Sequence, residues 1–132
     1  MKKRISCLIM AIIMLTIATI PVFAVQPRWL YTNSVIFAMY FDGEEGYLEG
    51  SVDCYSTTTK IEGTITLYRK NILGIWTKTG DEWYLSTSSD YLDISKTFSA
   101  ESGKKYKAEL DVDVYSGSNS ENITDEATGT CP

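Results

Sequence analysis

Histidine is absent from the 132 residues of this chain. Without imidazole, schemes that need it as catalytic base, proton relay or metal ligand are excluded. Cysteine is scarce as well: Cys7, Cys54 and Cys131 are the whole complement, and no Cys-x-x-Cys spacing occurs. Zinc ribbons and thioredoxin-like redox centres therefore have no ligand set. No P-loop, dinucleotide fingerprint or Gly-x-Ser-x-Gly elbow is present. Positive charge is also short. Beyond residue 24 the chain holds 17 acidic side chains against nine basic ones, a net charge of −8. A domain so charged repels phosphate backbones and anionic lipid, so nucleic acid is not an expected partner. The length allows one ordinary domain.

What is present begins with an address. Lys2, Lys3 and Arg4 precede a run from Ile5 to Ile20 that is apolar apart from Ser6, Thr16 and Thr19. Pro21 follows, and Val22 and Ala24 stand at the −3 and −1 positions of a cleavage site. Residues 1–24 thus read as a helical, cleaved signal peptide, with an uncleaved amino-terminal anchor as the alternative. Cys7 lies ahead of the apolar run and has no lipobox around it, so it is not a lipidation cysteine. The end at Thr128–Pro132 carries neither a hydrophobic tail nor a wall-sorting pattern, and the expected product is secreted, with no membrane span after cleavage. Two cysteines then remain in an oxidising compartment. A Cys54–Cys131 disulfide is one expectation, and a free buried thiol at Cys54 the other.

From residue 29 onward the dominant hydrophobic period is two. Leu48, Gly50, Val52 and Cys54 alternate with polar neighbours, as do Ile61, Gly63, Ile65 and Leu67. The strictest case sets Tyr106, Ala108, Leu110, Val112 and Val114 against Lys105, Lys107, Glu109, Asp111 and Asp113. Alternation of this kind predicts antiparallel strands with one face buried and one wet. Val35–Phe41 is apolar on both parities and is expected to be covered on both sides. Shorter strands are predicted at Leu73–Lys78, Glu82–Thr87 and Leu92–Phe98, with turns at Asp42–Gly46, Thr79-Gly80-Asp81, Ser102-Gly103 and Ser116–Asn119. The fold class is therefore all-β: an antiparallel sandwich of six to eight short strands over residues 25–132, with a weakly ordered tail from about residue 117.

The run Gly103-Lys104-Lys105-Tyr106-Lys107-Ala108 resembles the start of strand F in immunoglobulin-like and fibronectin-type sandwiches. The resemblance implies a tyrosine corner at Gly103 and Tyr106, in which the phenol bonds back to the chain upstream. It also places Cys54 where antibody domains put their first core cysteine, while Ala108 replaces the second. The whole arrangement is similar to a group of small secreted Gram-positive proteins: a signal peptide, Ile61–Tyr68, a Trp76-to-Trp83 hairpin and Gly103–Tyr106. That likeness implies a fold and no activity.

Candidate chemistry is thin. Asp111 and Asp113 share a strand face, but a small sandwich lacks the cleft that paired acids need around a substrate, and no catalytic residue is assigned. Asp42, Glu44 and Glu45 crowd one turn without the ligand alternation of a calcium loop, so no metal or other cofactor is expected. The aromatic residues Trp76, Trp83, Tyr84 and Tyr91 are the candidate binding residues, able to stack on an extracellular glycan or to anchor a protein partner. The sequence therefore reads as a secreted, non-catalytic binding module. A structural or envelope-associated protein, with those rings in its core, is the alternative, and a small hydrolase a distant third.

Overall fold

The computed structural model describes residues 29–132, so the signal peptide read at 1–24 lies outside the described residues. Seven antiparallel strands follow one another: β1 (Thr32–Asp42), β2 (Glu45–Cys54), β3 (Lys60–Lys70), β4 (Trp76–Thr87), β5 (Tyr91–Ser99), β6 (Lys105–Ser116) and β7 (Asn119–Thr130). They form an immunoglobulin-like sandwich, with sheet β1-β2-β5 packed on sheet β4-β3-β6-β7. Hairpins join β1 to β2, β3 to β4 and β6 to β7, and the other three connections change sheet.

The period-two pattern dictates the core. Leu48, Val52, Cys54, Ile61, Ile65, Leu67, Phe98, Tyr106, Ala108, Leu110, Val112 and Val114 are all buried, on the parity the sequence predicts. Five consecutive inward side chains of β6 fill the middle of the sandwich, because β6 is flanked by β3 and β7 and covered by the opposite sheet. β1 is different. Val35, Phe37, Met39 and Phe41 pack against the core, whereas Ile36 on the other parity is 61% exposed, so this strand is covered on one face only.

The strands are longer than the sequence suggests, at 9 to 12 residues. The reason is clearest in β4. Thr79-Gly80-Asp81 is no turn but an irregularity within one continuous strand, where the β3–β4 register slips between Thr66 and Tyr68. Gly80 takes φ +98°, a left-handed conformation that glycine adopts without a Cβ penalty, which lets the strand bulge and continue. Trp76 and Trp83 consequently lie on one strand and are not the two arms of a hairpin.

The expected weak tail is a full strand. β7 pairs with β6 from Lys105↔Thr130 to Ser116↔Asn119 and buries Ile123 and Ala127. Glu121 fastens it to the start of the described chain. Its carboxylate accepts the backbone N–H of Leu30 at 2.7 Å and of Tyr31 at 2.8 Å, and the Thr32 hydroxyl at 3.0 Å. Low aliphatic content concealed this, since three polar bonds to a carboxylate do what apolar burial does elsewhere.

The Cys54–Cys131 disulfide does not form, and both thiols are free and buried. Cys54 closes β2 and its Sγ donates to Thr32 Oγ1 at 3.8 Å. Cys131 Sγ donates to the Gly43 carbonyl at 3.3 Å, in the turn that precedes β2. A ten-residue strand separates the two environments, roughly 30 Å of extended chain. A disulfide needs Cα atoms within about 7 Å. Burial pushes both thiols up from their ordinary values.

Candidate functional site

The outer face of the four-stranded sheet can be read in rows, because residues paired across β4, β3, β6 and β7 stand side by side. At the end nearest the β3–β4 turn, Trp76 pairs with Lys70, and Lys105 pairs with Thr130. One row inward, Lys78, Tyr68, Lys107 and Thr128 run across the four strands. The next row brings Glu82, Thr66, Glu109 and Glu126. Four lysines with Trp76 and Tyr68 thus occupy two rows that hold no carboxylate, and the acidic part of the face begins at the third.

Two of these lysines lie over the rings. Lys107 Nζ lies 5.0 Å from the Trp76 ring centroid and 5.1 Å from that of Tyr68, and Lys70 Nζ lies 5.7 Å from Trp76. Such cation–π contacts hold long, flexible side chains over an aromatic floor. Lys107 also pairs with Glu109 at 3.3 Å, across the row boundary. The Tyr68 phenol is raised, first by burial and then by the Glu109 charge.

Beyond the last paired row the β3–β4 turn, residues 71–75, carries three exposed aliphatic side chains, among them the two most exposed large apolar residues of those described. Ile72 is 95% exposed, Leu73 77% and Ile75 57%. The turn is nonetheless tightly made. Asn71 Oδ1 accepts the N–H of Leu73 and of Ile75, both at 2.9 Å. The Asn71 N–H donates to the Ile75 carbonyl and the Gly74 N–H to the Asn71 carbonyl, again at 2.9 Å. Gly74 adopts φ +79°, which closes the turn.

The four aromatic residues expected to cluster are dispersed. Trp76 is half-buried on the outer face among the lysines, whereas Trp83 pairs with inward-facing Ile65 and packs against the core. Tyr84 is 67% exposed, on the outer face of β4 toward the acidic end, and its hydroxyl donates to Glu62 Oε2 at 2.9 Å. Tyr91 opens β5 in the other sheet. Gly103 and Tyr106 sit together at the β5–β6 connection, where the buried Tyr106 hydroxyl oxygen accepts the Glu101 N–H at 2.8 Å.

Two features escaped the sequence reading. One is the aliphatic tip itself: Leu73 and Ile75 fall in the strand expected at Leu73–Lys78, and Ile72 in no expected element. The other is a stacked pair on the outer face of β1-β2-β5: Tyr40 and Tyr47, with centroids 4.9 Å apart and planes 7° apart. Counting outward from the Asp42–Gly46 turn pairs these two positions, and that signal lies in the sequence. Tyr40 donates to Glu49 Oε1 at 2.7 Å, and its phenol is raised, chiefly by that bond.

The carboxylates considered for catalysis are tied to a neighbour. Asn122 Nδ2 donates to Asp111 Oδ1 at 2.6 Å and to Asp113 Oδ1 at 3.0 Å. Among the described residues no group of three or more carboxylate or thiol side chains is placed to hold a metal ion. No helix among them is long and apolar enough to cross a membrane.

No family model matches the chain, and no curated protein matches it. Among solved structures, the solution structure of R. palustris CsgH is similar over 71% of this chain and 85% of that one, with 16% identity and a TM-score of 0.33. A likeness of that degree carries no argument about this chain.

Proposed function

We propose that the protein is an exported, non-catalytic binding module whose contact surface is the lysine- and aromatic-rich end of the outer face of β4-β3-β6. The observation that carries this reading is the gathering of Lys70, Lys78, Lys105 and Lys107 around Trp76 and Tyr68, in a chain that is acidic overall. The proposed export rests on Lys2–Ala24, and the likeness to small secreted Gram-positive proteins agrees with it. With two ammonium groups over its ring, Trp76 is poorly free to stack on a neutral sugar, so the partner that fits is anionic. Trp83, packed on the core, supports a structural role for that ring alone.

The test is retention of the mature chain on isolated envelope fragments from a Gram-positive bacterium. Retention should fall as salt rises, and it should drop roughly tenfold in Lys70→Glu/Lys105→Glu. Equal retention of both proteins rejects the patch as the contact surface.

A further inference from the structure

We infer that the β3–β4 turn is a membrane-surface anchor: Ile72, Leu73 and Ile75 enter the interface of an anionic bilayer while Lys70, Lys78, Lys105 and Lys107 contact its headgroups. This rests on the proposed contact surface and names its partner.

The net charge of −8 argues against anionic lipid, but that argument treats the charge as uniform. Of the eight basic residues among the described ones, six lie at this end: Arg69, Lys70, Lys78, Lys104, Lys105 and Lys107. Two residues per row at about 3.4 Å each put the acidic third row about 14 Å from the Trp76–Lys70 row. That exceeds a Debye length of about 8 Å at physiological salt, so the acidic rows are largely screened from a surface touching the tip. Within the acidic row Glu109 is paired with Lys107, and nearer the tip Glu101 is paired with Arg69 at 3.1 Å. Asp81, in the β4 bulge, borders the same pocket as Arg69 and Lys78 and offsets one of the six positive charges. Asp42, Glu44 and Glu45 belong to the β1–β2 turn of the opposite sheet, about 10 Å behind.

The tip itself favours lipid over a glycan or an acidic peptide. Neither of those partners calls for the exposed aliphatic side chains of Ile72, Leu73 and Ile75. Entering the interface is costly for unpaired backbone donors, and four of the five N–H groups of the turn, those of Asn71, Leu73, Gly74 and Ile75 but not Ile72, are already bonded within it. The turn is therefore largely preorganised for insertion. Trp76 stands at the base of the tip, the depth at which indoles settle in a membrane interface, and lysine stems beside it can extend their charges to the phosphates.

Residues 29–132 contain the whole sandwich, so the chain from residue 25 onward is suited to the test. It is floated with vesicles of phosphatidylcholine holding about 30% phosphatidylglycerol, and with pure phosphatidylcholine vesicles. Binding is expected to the anionic vesicles only, and to be lost at about 0.5 M salt. Ile72→Ser/Leu73→Ser should weaken it roughly tenfold, as should Lys70→Gln/Lys105→Gln. All four positions are at the surface, and near-ultraviolet circular dichroism of core-packed Trp83 reports that each variant has kept its fold. No binding to anionic vesicles, equal binding to both vesicle types, or binding indifferent to the tip substitutions overturns the anchor. A parallel arm uses envelope fragments stripped of lipid. Patch-dependent retention there, with no vesicle binding, rejects the lipid partner and leaves the contact surface standing. Loss in both arms rejects both.

Discussion

The two ends of the outer face of β4-β3-β6-β7 are built from the same strands and behave as opposites. Toward the β6–β7 turn, charges and phenols satisfy one another. Glu62 accepts Lys60 at 2.7 Å, the Tyr84 hydroxyl at 2.9 Å and the Tyr115 hydroxyl at 3.1 Å, and Asn122 bridges Asp111 and Asp113. Toward the β3–β4 turn, lysines outnumber carboxylates and three aliphatic side chains stand in solvent. One end is closed on itself and the other is left with unmet charge and unmet apolar surface. That unmet surface on a well-bonded turn is what the proposed contact surface and anchor rest on.

Substitutions can sharpen that contrast. The largest effect is expected from the interior that both ends share: Leu110→Ala, at a site 1% exposed, should cost about 2–5 kcal/mol in a denaturant titration, because it leaves a cavity under β3 and β7. Tyr106→Phe should cost about 1–2 kcal/mol, since the Glu101 N–H then loses its acceptor. A midpoint unchanged from the parent would mean that water replaces that bond.

The closed end should reveal itself through pH. The Glu62 carboxyl is held below its ordinary value of 4.5, first by the bond from Lys60 and then by that from Tyr84. A carboxylate lowered in the folded state adds stability that is present above the unfolded value and lost as pH falls through the folded one. Melting temperatures taken downward from about pH 6 to about pH 3 should fall more steeply for the parent than for Glu62→Gln. Parallel curves would show that the network does not favour folding. The smallest effect belongs to the open end. Leu73→Ala removes the same atoms as Leu110→Ala, yet at 77% exposure its stability should stay within about 0.5 kcal/mol of the parent. A larger loss would place the tip in the fold's own packing.

Much of the fold was legible in the sequence. Alternation in β2, β3 and β6 named the inward side chains correctly, since a strand half-covered by a second sheet admits apolar residues on one parity only. β4 was the exception. Thr79-Gly80-Asp81 carries turn residues, and residue type alone does not separate a turn from a bulge, because both use a positive φ. That one ambiguity shifted the predicted hairpin from residues 71–75 to 79–81 and gathered four aromatic residues into a cluster that the register disperses.

The sequence by itself determined the class of fold, the buried parity and the acidic balance, all of which follow from the order of residues along one strand at a time. Only the tertiary structure decided which residues became neighbours across strands. It put Cys54 and Cys131 at opposite ends of β2, fixed β7 through Glu121, and sorted the outer face into a lysine end and a carboxylate end. Those outcomes depend on pairing register, which is set by turns, bulges and packing between sheets. A shift of two residues in that register keeps every inward side chain inward and still rearranges every row on the surface.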